Sequence, residues 1–194
     1  MDLAMFFREL RPALSLVIFF TVLTGFILPE IFTGAMQLAL PYQANGSLIR
    51  QNGEIIGSAL IGQNFTSPKY FQPRPSALAT AYDAGTSGAS NLAPTSAALL
   101  KTVQARVAAY RQAFGPGQVP ADAVTASGSG LDPDISAANA LRQAPAVAAA
   151  RQLPADEVIG LVKRMTHHAT LGIVGTTHVN VLQLNLALDR LTAS

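Results

Sequence analysis

Residues Pro12–Pro29 read PALSLVIFFTVLTGFILP, 18 consecutive positions without Lys, Arg, Asp, Glu or His. As a helix rising about 1.5 Å per residue, the run extends roughly 27 Å, the depth of a bilayer's hydrocarbon core. Pro12 suits a first helical turn, where a missing N–H costs nothing, and Pro29 suits the far end of a span. The run therefore reads as one transmembrane helix, assigned to residues 12–32. Arg8 and Arg11 precede it, and no Lys or Arg follows until Arg50. Orientation follows this bias, so residues 1–11 are expected in the cytoplasm and the remainder outside. The competing reading is a cleaved signal peptide, with Arg8 and Arg11 as its basic end and Ala13–Leu28 as its apolar centre. Thr33-Gly34-Ala35 makes a poor cleavage site, and apolar character persists through Ile31, Phe32, Met36, Leu38 and Leu40, which favours a retained anchor.

Working outward, residues 33–46 read as a connector and residues 47–194 as one soluble domain, a size that supports a single core. The expected fold class is α+β: a single N-terminal transmembrane helix followed by one mixed α/β extracytoplasmic domain. Charged residues are 12% of the chain, about half the usual share. A net charge of +2, scattered along the chain, excludes a nucleic-acid surface. A lightly charged exterior fits a surface partly covered by partner subunits. The absence of cysteine suits an oxidising or a reducing compartment equally.

Within the domain, Ser47–Arg50, Asn52-Gly53 and Glu54–Gly62 spell a hairpin around an Asn-Gly turn. Phe65–Pro94 is dense in Pro, Gly, Ser, Asn and Thr, and is interleaved with Tyr70, Phe71 and Tyr82. A loop this long is functional or disordered, and its aromatics favour an ordered loop that faces solvent or a partner. Thr95–Phe114 repeats Leu99, Val103, Val107, Tyr110 and Phe114 at helical spacing and stops at Gly115-Pro116-Gly117. Val119–Thr125 reads as a short strand and Ser127–Gly130 as a tight turn. Asp132-Pro133 reads as a helix cap with proline at the first position, opening a helix through Ile135, Ala138, Leu141, Val147 and Arg151. A further helix from Pro154 carries Val158, Leu161, Val162 and Met165 on one face, with His167 and His168 in its last turn. The C-terminal VNVLQLNLALDRL admits two readings, a strand by its alternation from Val179 or a helix through Val181, Leu184, Leu188 and Leu191; a short strand near His178–Val179 with a helix after Asn180 is favoured.

Candidate chemistry is sparse. Asp132 and Asp134 suit a cation or an acid/base pair, but helix capping accounts for them more simply. Ser127–Leu131, SGSGL, offers backbone N–H groups to a phosphate yet lacks the Gly-Lys-Ser/Thr ending of a P-loop. His167, His168 and His178 are enough for a zinc site, but adjacent helical histidines point about 100° apart. No serine sits in a nucleophile elbow. Asn45-Gly46-Ser47 and Asn64-Phe65-Thr66 match the glycosylation triplet, which is short enough to arise by chance. Arg74, held extended between Pro73 and Pro75, presents a rigid guanidinium suited to carboxylates or carbonyls, in a partner or in its own domain. The chain reads as an anchored structural or regulatory subunit rather than an enzyme. An anchored hydrolase and an external sensor or ligand-binding module are the alternatives.

In order along the chain, GSALIGQNF (Gly57–Phe65), KYFQPRPSA (Lys69–Ala77), YDAGTSGASNLAP (Tyr82–Pro94), VPADAVTASGSGLDPDIS (Val119–Ser136), the helix Ala140–Arg151 and VNVLQLNLALD (Val179–Asp189) together resemble the KdpC family, the C subunits of potassium-transporting P-type ATPases. Ala89, Ala146 and Thr176-Thr177 depart from the family's pattern. The resemblance implies an accessory subunit in the inner (plasma) membrane of a bacterium. Its implied partners are a channel-like potassium-translocating A subunit, a P-type ATP-hydrolysing B subunit and the lipid bilayer. It further implies stabilisation of the assembly and a catalytic-chaperone effect on the B subunit's ATP affinity. ATP and potassium would be handled by the complex, with no cofactor bound directly by this chain, which has no nucleotide motif. The partner-interface candidates are Gln63, Tyr70, Phe71, Arg74, Ser76, Ser90, Asn91, Ser127, Ser129, Asp132 and Asn180. The expected mode has the anchor packed on the channel-like subunit, and the Phe65–Pro94 loop with the SGSGLDP turn docked at its external face near the ion entrance.

Overall fold

The computed structural model describes residues 3–192. It separates into two units, Met1–Leu48 and Ile49–Ser194. The first is one long helical rod: α1 (Leu3–Val22), a π-helical turn (Leu23–Ile27) and α2 (Leu28–Ala39), followed by the single turn α3 (Pro41–Ala44). Phe7–Ala39 is long and apolar enough to cross a membrane. Two expectations change here. Pro12 lies inside α1 rather than in its first turn, because the preceding residues are themselves good helix formers and continue the helix outward. The helix also runs past residue 32, through the first part of the 33–46 connector, and ends at Ala39.

The π-helical turn explains how Pro29 is tolerated. In a regular helix its ring would crowd the carbonyl of Gly25 and remove that carbonyl's donor. Widening the turn lets the Leu28 N–H donate to the Leu23 carbonyl, five residues back, and proline then opens α2. Thr24 Oγ1 donates to the Phe20 carbonyl at 2.6 Å, supplying a further bond in the same stretch.

Next along the chain comes the expected hairpin, β1 (Leu48–Gln51) and β2 (Glu54–Ser58), joined by Asn52 and Gly53 at φ 52° and 86°. Both lie in the left-handed region that this two-residue turn requires. No helix or strand then forms until α4 (Ala97–Phe114), whose first turn is capped by Ser96 Oγ accepting from the Leu99 N–H. A small antiparallel sheet has the order β3 (Asp134–Ser136), β5 (His178–Asn180), β4 (Thr166–His167), with Ile135 opposite Val179 and Thr166 opposite Val179 on the other side. Helices α5 (Ala137–Arg151), α6 (Ala155–Arg164) and α7 (Val181–Thr192) pack with it around Phe71, Ile135, Val147, Val158, Val162, Val179, Leu184 and Leu188. Ala140, Ala144 and Ala148 are buried in α5, where their small size lets α6 approach closely.

Three local expectations are corrected. Residues 119–125 hold a 3₁₀ turn, Ala121–Ala123, not a strand. Pro120 cannot donate to a ladder, and the Asp122 carboxylate is drawn instead to the Ser136 N–H and Oγ at 2.8 and 2.9 Å. Asp132 does not cap a helix: residues 134–136 are strand, and Ser136 caps α5 through the Asn139 N–H at 3.0 Å. A β-branched isoleucine paired with Val179 outweighs the Asp-Pro signal. His167 belongs to β4 and His168 follows it, because α6 ends at Arg164.

Candidate functional site

Residues 69–76 cross the domain as an extended strap without a strand partner, so its backbone groups need other partners. Two buried carboxamides supply them. Asn185 of α7 accepts from the Phe71 N–H at 2.9 Å and donates to its carbonyl at 3.0 Å. Gln143 of α5 does the same for Gln72, at 2.7 and 3.1 Å. Each amide imitates one rung of a sheet. Gln143 also donates to Asn139 Oδ1, which accepts from the Tyr110 hydroxyl at 2.8 Å, while Asn139 Nδ2 donates to Asp122. Burial pushes the Tyr110 phenol up to about 12, with Arg142 opposing and Asp122 adding, so it stays a donor. At the strap's start, the Tyr70 hydroxyl donates to Asp189, and Arg151 stacks over the Tyr70 ring at 4.6 Å while pairing with Asp189 at 2.6 Å.

The strap's other end is tied to the turn at 127–132. Arg74 Nη1 meets Asp132 Oδ2 at 2.7 Å, and Nη2 reaches the carbonyls of Thr125 and Ala126. Ser76 Oγ donates to the Gly130 carbonyl at 2.9 Å, the Gly88 N–H to Ser129 at 2.9 Å, and the Gly62 N–H to Leu131 at 2.8 Å. The Tyr82 hydroxyl donates to the Arg74 carbonyl at 2.8 Å. Its pKa is raised, first by burial and then by Asp132, so it too stays protonated. Gly130 sits at φ 72°, and a Cβ there would lie 2.6 Å from Leu78 Cγ. A Cβ on Gly62 would lie 2.4 Å from the Tyr82 ring. These glycines let three chain segments close on one another.

Arg74 forms the ridge between two open clefts, each of about 480 Å³. One is walled by Phe65, Tyr82, Arg106, Tyr110 and Phe114. The other carries Asp122, Asp132, Asp134 and His178. Each of these carboxylates is already engaged: Asp122 with Ser136 and Asn139, Asp132 with Arg74, and Asp134 with Asn180 at 3.1 Å and His178 at 3.8 Å. Burial raises the Asp134 pKa, with His178 and Asn180 opposing. Among the described residues no three His, Cys, Asp or Glu side chains stand close enough to share a metal ion. His167 and His178 stack with ring centroids 5.4 Å apart.

The sequence-derived candidates fall into three placements. Phe71, Ser127 and Asn180 are buried; Ser127 Oγ accepts from the Gly130 N–H, and Asn180 donates to the Ala59 carbonyl and caps α7 through the Gln183 N–H. Gln63, Tyr70, Arg74, Ser76, Ser129 and Asp132 are half-buried, and Gln63 donates to the Ile56 carbonyl at 2.7 Å. Ser90 and Asn91 are exposed, with Asn91 at φ 51°. Arg74 thus takes the in-domain pairing. Asp122, Asn139, Gln143, Asn185 and Arg151 escaped the sequence reading. Asn139 and Gln143 lie four apart within the apolar face of α5, a polar pair in a buried stripe that would have marked them.

Among the described residues, one apolar helix long enough to cross a membrane precedes a mixed helix-and-strand domain, the pattern of a membrane protein with one folded domain. The chain belongs to the KdpC family: the model of the K+-transporting ATPase c chain matches residues 10–190. It is 52% identical over 189 residues to the potassium-transporting ATPase KdpC subunit of Gemmatimonas aurantiaca, covering 96% of this chain and 95% of that one. The subunit of the same name from Mycobacterium bovis is 52% identical over 187 residues, covering 95% and 99%. That of Rhodospirillum rubrum is 54% identical over 185 residues, covering 94% and 95%.

Proposed function

We propose that this chain is the accessory subunit of an ATP-driven potassium-import complex, anchored by its helix with the domain on the external side. It assembles with a channel-like A subunit and a P-type ATP-hydrolysing B subunit, and hydrolysis takes place on the latter. The observation that carries the reading is the locked face. Ser76, Arg74, Gly88 and Gly62 tie the 62–88 loop to the 129–132 turn, so a long irregular surface is held in one shape at no further ordering cost on docking. Arg74 acts in this face by fixing its shape. A domain outside the membrane does not reach cytoplasmic ATP, so any effect on the B subunit's ATP affinity passes through the membrane part of the assembly.

Co-expression of the tagged full-length chain with its genomic neighbours tests this reading. Recovery of a P-type ATPase and a channel-like subunit, with potassium-stimulated ATP hydrolysis that fails without this chain, supports it. Arg74→Ala is expected to lower recovery of the partners while leaving turnover per assembled complex unchanged; full recovery with reduced turnover contradicts that role. Because the chain has no cysteine, single cysteines at Ser90 and Asp2, probed with an impermeant maleimide on intact cells, report orientation. Labelling is expected at Ser90 alone.

A further inference from the structure

The two clefts on either side of Arg74 differ in charge. Asp122, Asp132 and Asp134 all line the second, whereas no Asp or Glu lines the first. The first carries two guanidinium groups instead. That of Arg74 is neutralised by Asp132 at 2.7 Å. That of Arg106, on α4, is not. It is half-buried, gives Nη1 to the Val124 carbonyl at 3.1 Å, and pairs with no carboxylate among the described residues. A guanidinium with donors to spare forks onto a carboxylate through two parallel N–H bonds. The first cleft thus holds one uncompensated positive charge and complements an anion.

The rest of its lining suits an anion carried on a polypeptide. Phe65, Tyr82, Tyr110 and Phe114 offer aromatic rings, the last two with centroids 4.7 Å apart. Aromatic rings around an arginine are the composition of protein-interface hot spots. Tyr82 holds φ 62°, a left-handed conformation strained for an aromatic residue, and with it sets its ring in the wall. Asn64 and Thr66 line the cleft from a stretch without turn or bend at residues 62–66. Both are exposed, and among the described residues no hydrogen bond within the chain engages either one. Their N–H groups and carbonyls offer donors and acceptors together, which an extended backbone matches in full. A phosphate, which only accepts, matches the N–H half alone. A second copy of this chain set face to face about a two-fold axis would oppose Arg106 to Arg106, a like-charge pair.

We propose that this cleft receives an extended segment of a partner subunit, apolar but for one carboxylate, with Arg106 as the charge anchor. This rests on the accessory-subunit reading. The test uses the tagged full-length chain co-expressed with the partner subunits. Arg106→Glu is expected to lower their recovery about tenfold, while Arg106→Lys, which keeps the charge, retains most of it. Undiminished recovery with Arg106→Glu overturns the proposal but leaves the accessory reading standing; a wild-type chain that brings no partner overturns both. Should Arg106→Glu also lower the melting temperature of the chain alone, Ala109→Trp decides. Ala109 is exposed and lines the cleft, so a ring there is expected to fill the groove and lose the partners while the melting temperature holds; undiminished recovery again overturns the proposal. The photo-cross-linker benzoylphenylalanine in place of Ala109 identifies the occupant. The expected adduct maps to a partner segment containing Asp or Glu, and changing that carboxylate to Lys restores recovery with Arg106→Glu. An adduct with lipid alone, with a second copy of this chain or with a partner segment free of acidic residues overturns the proposal, as does failure of the charge swap.

Discussion

Asn185 and Gln143 each serve two backbone groups of a buried strap, and such dual service gives single side chains unusual weight. Asn185→Leu keeps the branched shape, though it is bulkier, and orphans the N–H and carbonyl of Phe71. It is expected to cost about 3 kcal/mol, from one to three for each buried group left without a partner, read as a drop in the urea midpoint of the full-length chain in detergent. Two neighbouring aspartates should respond in opposite ways. Asp132 holds Arg74 with both side chains about one-quarter exposed, so Asp132→Asn is expected to destabilise by about 1 kcal/mol after solvent screening. Asp134 carries a raised pKa because burial penalises its charge. The folded state therefore binds this proton more tightly than the unfolded state. Stability falls as pH rises from its ordinary value of 3.8 through the raised one, and the deficit persists above it. Asp134→Asn, which keeps an acceptor for Asn180, should leave stability at pH 7 unchanged or higher and flatten the fall in stability that begins as pH rises past 3.8. A loss at pH 7 equal to that of Asp132→Asn would contradict this reading.

At the scale of elements, capping and turns carry the connections. Ser136 ends β3, caps α5 and donates to Asp122, so Ser136→Ala is expected to cost about 2 kcal/mol, the upper end for a cap. Gly130→Ala combines a left-handed φ with a Cβ that meets Leu78 and the Gly88 carbonyl. More than about 1 kcal/mol of destabilisation is expected, together with loosening of the 86–89 loop detectable by amide exchange at Gly88. The elements legible in the sequence were those with local signals: the Asn-Gly hairpin, the periodic α4 closed by Gly115, the Pro154 start of α6 and the Asn180 boundary between β5 and α7. Those that failed were decided by distant partners. Asp132 looked like a cap because Asp-Pro is a local cap signal, yet Arg74, 58 positions away, claims its carboxylate. The 3₁₀ turn at 121–123 forms where Asp122 reaches α5, and nothing near it in sequence announces that. The aromatic pinning of the long loop was legible through Phe71 and Tyr82; of the carboxamides that hold it, Gln143 left a trace as one of a polar pair in the apolar stripe of α5, whereas Asn185 left none, because a lone Asn in a helix reads as a surface residue until its burial is known.

For the whole molecule, the apolar N-terminal helix, the mixed α/β class and the family were legible, because a charge-free run and several ordered motifs survive without three-dimensional context. Of the candidate site, the loop and the SGSGLDP turn stood out in the sequence, and the fold shows them fastened to each other. One consequence follows from where the fastenings originate. The strap at 69–76 is held by Gln143 from α5 and by Asn185 from α7. The strap thus serves as a shared gauge of two helices: a displacement of either α5 or α7 breaks a pair of bonds to it, so loosening of either helix is expected to speed amide exchange at Phe71 or Gln72.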